Sequence, residues 1–457
     1  MVPARRPALL PALALALAAC DPHQAPDAAG DGGSGGSDPA ADADAGGTDP
    51  SEGGPTGDDG DSGDGPSVEV GDPSLNRFVL TSADETIVRI EADGSGHTEL
   101  FAFNEYDDVS SLSWVDGTIY AGGGDNSVNA IDGTTGAFLW DLPMGRYEST
   151  SLAEPVMLVD GELAYALGLP GVLTSFRLAD RHIDWEYPLD PSGETEGYYS
   201  SWGTPLVTAD LIFVGTGSSL DTNYLHAIDR VTGSRRWRLQ LAHPDDDVPM
   251  GVTGGLRRIG DTLLVPAGDL LALDATTGSL RWSYATERLS RGAGTPVVVD
   301  DRIYVQNAHD VADGRLDCLA LATGELLWSI AAGNDYAGVY TPSVVDGRVY
   351  GVDERGGSEW SFGNGRPFAA DALSGALLWA NDRVSVESSP VLANGRLFFH
   401  GQDFDGTGDI DLDVGTFALD AADGSLVWLD NVTRYASATT PLVVADNGVF
   451  RAGAAVP

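Results

Sequence analysis

The 457-residue chain carries 69 acidic and 25 basic residues, a formal charge of −44, and every basic residue is an arginine. That balance argues against nucleic-acid binding, which needs a basic face to neutralise phosphate, and suits a soluble, self-repelling surface. With 59 Gly, 25 Pro and 42% hydrophobic residues, the composition fits many short strands joined by tight turns.

Residues 1–20 have the pattern of an export signal. Arg5 and Arg6 form a basic start, and Ala8 to Ala19 an apolar stretch too short to span a bilayer. The stretch ends in Leu17-Ala18-Ala19-Cys20, which is similar to a bacterial lipobox. Small residues there suit a signal peptidase, and the Cys20 thiol is the nucleophile that would accept a diacylglycerol. The expected address is therefore the cell envelope, lipid-anchored on the periplasmic side, with inner and outer membrane both open. Residues 21–73 contain no Phe, Tyr or Trp and are dominated by Gly, Asp, Ser, Ala and Pro. They cannot bury enough apolar surface to offset ordering, so a flexible acidic linker is expected.

Residues 74–457 form one repeat domain. Its recurring element is Ala-x-Asp-x-x-x-Gly-x-x-x-Trp, first seen at Ala130-Ile-Asp132, Gly136 and Trp140. Further copies end in Trp237, Trp282, Trp379 and Trp428. A copy ending in Trp328 has Ala320 for the Asp, and one ending in Trp185 reads as having lost the Gly and much of its register. The seven tryptophans are 45 to 52 residues apart, the length of a four-stranded propeller blade.

A Pro strand with an Asp-Gly, Asn-Gly or Asp-Asp turn precedes the copies, as in Thr295-Pro296 to Val305 and Thr341-Pro342 to Tyr350. Pro is tolerated at the start of a strand, and such turns join hairpins. Each unit thus reads as strand, tight turn, strand, variable loop, strand, Asp-centred turn and a strand ending in Trp. The Asp can bond its own backbone, the Gly frees the turn, and the Trp buries a large ring between blades.

These units resemble the tryptophan-docking repeats of PQQ-type β-propellers. That family includes quinoprotein dehydrogenases and the non-enzymatic outer-membrane assembly lipoprotein of the BamB type. The resemblance implies an all-β propeller of four-stranded antiparallel blades. Arg77–Ser82 and Thr86–Gly94 look like a unit without its Pro strand, and Thr440–Phe450 like a Pro strand without its Trp half. Together they give eight blades, the last closed by both termini, with seven as the alternative.

The resemblance also implies a choice of function. Quinoprotein dehydrogenases often carry adjacent cysteines, and this chain has only Cys20 and Cys318, so PQQ is not expected. Cys318 should have no disulfide partner and act as a small buried hydrophobe. No Gly-x-Ser-x-Gly elbow or His-Glu-x-x-His pair occurs. The expected function is a non-catalytic envelope scaffold that binds protein through its loops, with an outer-membrane assembly complex as the candidate partner. A PQQ- and Ca²⁺-dependent dehydrogenase and a small-ligand or polysaccharide sensor are the alternatives. Asp403, Asp405, Asp409, Asp411 and Asp413 place carboxylates around flexible glycines and are the candidate Ca²⁺ loop, although the EF-hand spacing is absent. Long insertions at 190–200, 243–250, 354–366 and 402–413 contain Tyr198, Tyr199 and Trp360, and Trp202 follows the first of them; loops of this kind are where binding residues collect.

Overall fold

The computed structural model describes residues 71–83, 85–103, 109–123, 127–144, 156–168, 171–189, 205–216, 223–241, 251–285, 293–308, 314–333, 340–354, 365–403, 414–431, 440–451 and 454–455. Among these the structure is all-β apart from one 3-10 turn at Pro73–Leu75, which Asp72 caps through the Ser74 amide.

Four-stranded antiparallel sheets follow one another along the chain. The Trp140 unit comprises Val109–Val115, Thr118–Gly123, Ser127–Asp132 and Phe138–Pro143. The Trp328 unit shows the same pattern with Val297–Val299, Arg302–Ala308, Gly314–Ala320 and Leu326–Ala331. The Trp379 and Trp428 units are joined by a short strand, Val384–Val386, that pairs with both Gly365 and Gly401–Asp403.

Antiparallel order fixes two unlike ends. The tight turn after the first strand and the Asp-centred turn after the third lie at one end. The second-to-third and fourth-to-first connections leave from the other, and those carry the long insertions. We call these the turn end and the connection end.

Middle strands are mostly buried, and Leu211–Gly215 wholly so, because a sheet packs on each face. Fourth strands alternate exposed and half-buried residues, as in Ile183–Pro188, because only one face meets a neighbouring sheet. The cores lie between consecutive units: Phe213 and Leu225 of the Trp237 unit pack with Leu263 and Val265 of the Trp282 unit. Each such side chain contributes about 1.5–3 kcal/mol on burial, and Phe213→Ala would remove about 3–5 kcal/mol.

Both ends of the described chain meet in one sheet. Asn76–Ala83 pairs antiparallel with Leu442–Ala445, with Phe78 opposite Val444 and Leu80 opposite Leu442. Thr86–Glu91 and His97–Ala102 extend this seam sheet outward. Gly448–Arg451 pairs with the other edge of Leu442–Ala445, and Ala454–Ala455 pairs with it in turn. Edges that would otherwise be open are thereby covered.

Three sequence expectations change. The tryptophan does not end its strand: Trp140 is third in Phe138–Pro143, opposite Ala130. The Trp185 copy keeps its register. Arg177 and Arg181 stand where Asp and Gly stand elsewhere, and the Arg181 amide donates to the Arg177 carbonyl at 2.9 Å as Gly136 does to Asp132 at 2.8 Å. Gly71, expected in the linker, lies against the Asn394 backbone, 3.0 Å from where its Cβ would be. Cys318 is buried and free, and it takes the Ala position opposite Trp328.

Candidate functional site

The repeat motif builds a docking girdle. In the Trp140 unit the Asp132 carboxylate accepts from the Thr134 amide at 3.0 Å, the Thr135 amide at 2.7 Å and the Thr135 hydroxyl at 2.8 Å. Such bonds fix the turn. At Asp229 the Thr232 amide and hydroxyl, with Arg236, hold the carboxyl down to about 2. At Asp274 the Arg281 guanidinium leads, followed by Thr277, again to about 2. Each of these arginines lies seven residues beyond its Asp. In the Trp185 copy the same pair is charge-reversed, Arg177 to Asp184 at 2.8 Å.

The turn then receives the tryptophan of the preceding unit. Trp185 Nε1 donates to the Arg230 carbonyl, Trp237 to Ala275, Trp282 to Leu321, Trp328 to Ala372 and Trp379 to Ala421, all at 3.0–3.2 Å. Trp428 donates to Ala92 of the seam sheet at 2.9 Å. The indole lies over the turn glycine: a Cβ on Gly324 would sit 2.5 Å from Trp282. At the end of the seam sheet no tryptophan remains, and the Leu100 carbonyl fills the space beside Gly136. Arg181, which has no glycine's freedom yet adopts φ 59°, places its guanidinium 5.9 Å from the Trp140 ring. Six of the seven tryptophans thus bond to the backbone of the next unit, and Trp140 meets Phe176 and Arg181 of its neighbour through its ring.

Between units, polar pairs are also buried. Tyr187 OH lies 3.0 Å from His226 Nδ1, and burial, then the charges of Arg238 and Arg235, lower the imidazole to about 4. Tyr284 donates to Asp317 at 2.8 Å, and burial raises the phenol. Both tyrosines stand two residues after a docking tryptophan, and both pairs bridge adjacent units.

The first strands of the units converge on a cavity of about 400 Å³ at the turn end. Val297, Val344, Leu392 and Phe450 give it apolar walls, and Asp346, Asn394 and Asn447 lie in the turns at its rim. Arg257 and Arg451 also line it. Arg451 Nη2 donates to the Leu112 carbonyl and to Ser113 Oγ. Burial lowers this guanidinium to about 10, and burial also lowers that of Arg257. Sequence reading missed both. The available signal was an arginine where equivalent first strands have Val297 or Ser343, and another directly after the apolar pair Val449-Phe450.

Of the remaining sequence candidates, Asp403 ends the strand Arg396–Asp403. Cys20, Asp405, Asp409, Asp411, Asp413, Tyr198, Tyr199, Trp202 and Trp360 lie outside the described residues. Among the described residues no three His, Cys, Asp or Glu side chains gather as metal ligands would. No described helix is long and apolar enough to cross a membrane.

Sequential four-stranded sheets, tied by tryptophans at a fixed place in each repeat, define a β-propeller of PQQ-like repeats. The chain belongs to the family whose model is described as outer membrane protein assembly factor BamB, matched over residues 76–222, 108–265, 221–357 and 266–454. BamB from Moraxella catarrhalis is similar in fold at 16% identity and a TM-score of 0.52, over 72% of this chain and 89% of that one. A europium-containing methanol dehydrogenase is similar at 13% identity and 0.55, over 74% and 84%. The quinohemoprotein alcohol dehydrogenase from Comamonas testosteroni is similar at 14% identity and 0.54, over 76% and 74%. No curated protein sequence matches the chain.

Proposed function

We propose that this protein is an exported, lipid-anchored scaffold that binds envelope proteins through the connection end of an eight-bladed ring. The family match across the repeats carries this reading, because that family's model bears the description of an assembly factor. The topology supports it. Docking contacts occupy the turn end of every unit, while the insertions all leave from the connection end, where length and sequence can vary without disturbing a tie. Pairing of Asn76–Ala83 with Leu442–Ala445, and the seating of Gly136 against Leu100, support a ring closed by both ends of the domain.

In this reading Cys20 carries the anchor and residues 21–73 the tether, so the ring works at a membrane surface. An outer-membrane protein assembly complex is the partner class that the family description suggests. Catalysis is no part of the proposal, and neither PQQ nor the 403–413 loop as a Ca²⁺ site is needed for it.

The test is affinity recovery of the tagged full-length chain from solubilised native membranes, beside a Cys20→Ala chain. Stoichiometric recovery of a β-barrel assembly component, lost without Cys20, is the expected result. A lone monomer from native membranes refutes the scaffold reading. PQQ- and Ca²⁺-dependent dye reduction with an alcohol would establish the dehydrogenase alternative.

A further inference from the structure

We infer that the turn end of the ring rests on a lipid bilayer surface, so that the connection end faces away from the membrane. The inference deepens the anchored-scaffold reading by naming the lipid-facing surface, and it rests on that reading for the role of Cys20.

The placing of exposed apolar side chains is the first reason. Among the described residues, every large hydrophobic side chain that is exposed stands at the turn end. Phe138, Leu280, Leu326 and Leu377 open fourth strands, and Leu139, Leu327, Leu378 and Val427 are second in theirs. Val299 and Val345 close first strands, and Val231 and Leu373 stand in the turns after third strands. Val231 is 81% exposed and Leu373 66%. Single exposed hydrophobics are ordinary, but their confinement to one end of successive units marks an interaction surface.

The second reason is where the chain enters. Gly71 lies against Asn394, which stands in a tight turn at this end, so the segment that leads back to Cys20 joins the ring here. Residues 21–70 are 50 residues, which as a coil average about 40 Å. An anchor at Cys20 therefore holds this end near lipid, at an effective concentration that makes weak contacts count.

Charge and repetition choose the occupant. The chain is −44 overall, yet at the turn end arginines answer carboxylates, as Arg77 does Asp446, Arg230 does Asp160, Arg258 does Asp210 and Arg396 does Asp420. Arginines lay apolar stems along a surface and keep their heads in water, which suits the headgroup region of zwitterionic lipid. A second copy of so acidic a chain would be repelled. A protein partner centres on one packed patch, whereas the same repeat positions in successive units offer apolar side chains at one level, which matches a fluid plane.

Fluorophores at Val231→Cys and Asp382→Cys in the full-length chain, taken from native membranes into phosphatidylcholine vesicles that carry a nitroxide lipid, read the orientation. Asp382 follows the fourth strand Leu377–Ala380 and marks the connection end. The label at 231 should be quenched and the label at 382 should not. Co-sedimentation of the Cys20→Ala chain with phosphatidylcholine vesicles tests the surface without the anchor. That chain should bind, and combining Leu327→Ser, Leu373→Ser and Leu378→Ser should weaken binding by roughly 10-fold or more. The melting temperature should stay unchanged, because all three side chains are exposed. Vesicle binding by the Cys20→Ala chain, with mass spectrometry finding Cys20 unlipidated in native membranes, would support the surface and refute the anchor. Quenching at 382 equal to that at 231, no co-sedimentation of the Cys20→Ala chain, undiminished binding by the leucine variant, or a dimer that this variant dissociates would each overturn the inference.

Discussion

Replacing Gly324 with Ala measures what the docking tie is worth. Gly324 has φ +71°, so any Cβ there costs about 1–2 kcal/mol in backbone strain. Its Cβ would also sit 2.5 Å from Cε3 of Trp282, a ring that is pinned by its bond to the Leu321 carbonyl at 3.2 Å. Moving a pinned ring in a packed interface costs about 1–3 kcal/mol more. Gly161 is the control: φ is +65° and nothing lies within 4 Å of its Cβ position. Gly324→Ala should therefore cost about 2–5 kcal/mol and Gly161→Ala only about 1–2 kcal/mol. Urea unfolding followed by circular dichroism gives both values, and hydrogen exchange should show the Trp282 and Trp328 units opening first in the Gly324 variant. Equal losses at the two positions would refute the idea that the glycine exists to receive the indole.

Three other outcomes follow from the same geometry. Arg181→Gly relieves a left-handed backbone at a cost of the Trp140 contact; strain of about 1–2 kcal/mol against a cation–π contact of about 0.5–1 kcal/mol predicts a neutral to slightly stabilised protein in the same urea assay. Asp229 and Asp274 are held at about 2 in the fold, below the ordinary 3.8, so their contribution is complete above pH 4 and lost as the pH falls through about 2. An Asp229→Asn, Asp274→Asn chain should show a flatter melting-temperature profile between pH 4 and pH 2 than the parent; parallel profiles would contradict this. Burial pushes the Cys318 thiol up and hides it, so a Cys20→Ala chain should react with a thiol reagent only after unfolding.

The repeat was legible because its residues recur for local reasons: Asp fixes the turn, Gly receives the ring, and Trp supplies it. Those reasons act at fixed spacing, so they survive in sequence. The Trp185 copy was misread because identity was taken for register. Arg177 and Arg181 keep the turn geometry with opposite charge and a strained backbone, which no local pattern advertises. The cavity was not legible for a different reason. Arg257 and Arg451 are far apart in the chain and meet only through the convergence of first strands and the closing of the seam sheet. Each alone reads as one charged residue on a short strand.

The charge-reversed pair shows what the repeats preserve. Asp229 with Arg236 and Arg177 with Asp184 occupy the same seven-residue interval on the third and fourth strands. Where such a pair occurs its spacing across the turn is the same and the sign is free, whereas Asp132, Asp371 and Asp420 have Leu139, Leu378 and Val427 at that interval. The constraint is thus geometric and concentrated at the turn end, where most units accept a neighbour's indole. A residue at that end that departs from the pattern without serving a tie needs another cause. Arg181 has one, since it covers Trp140.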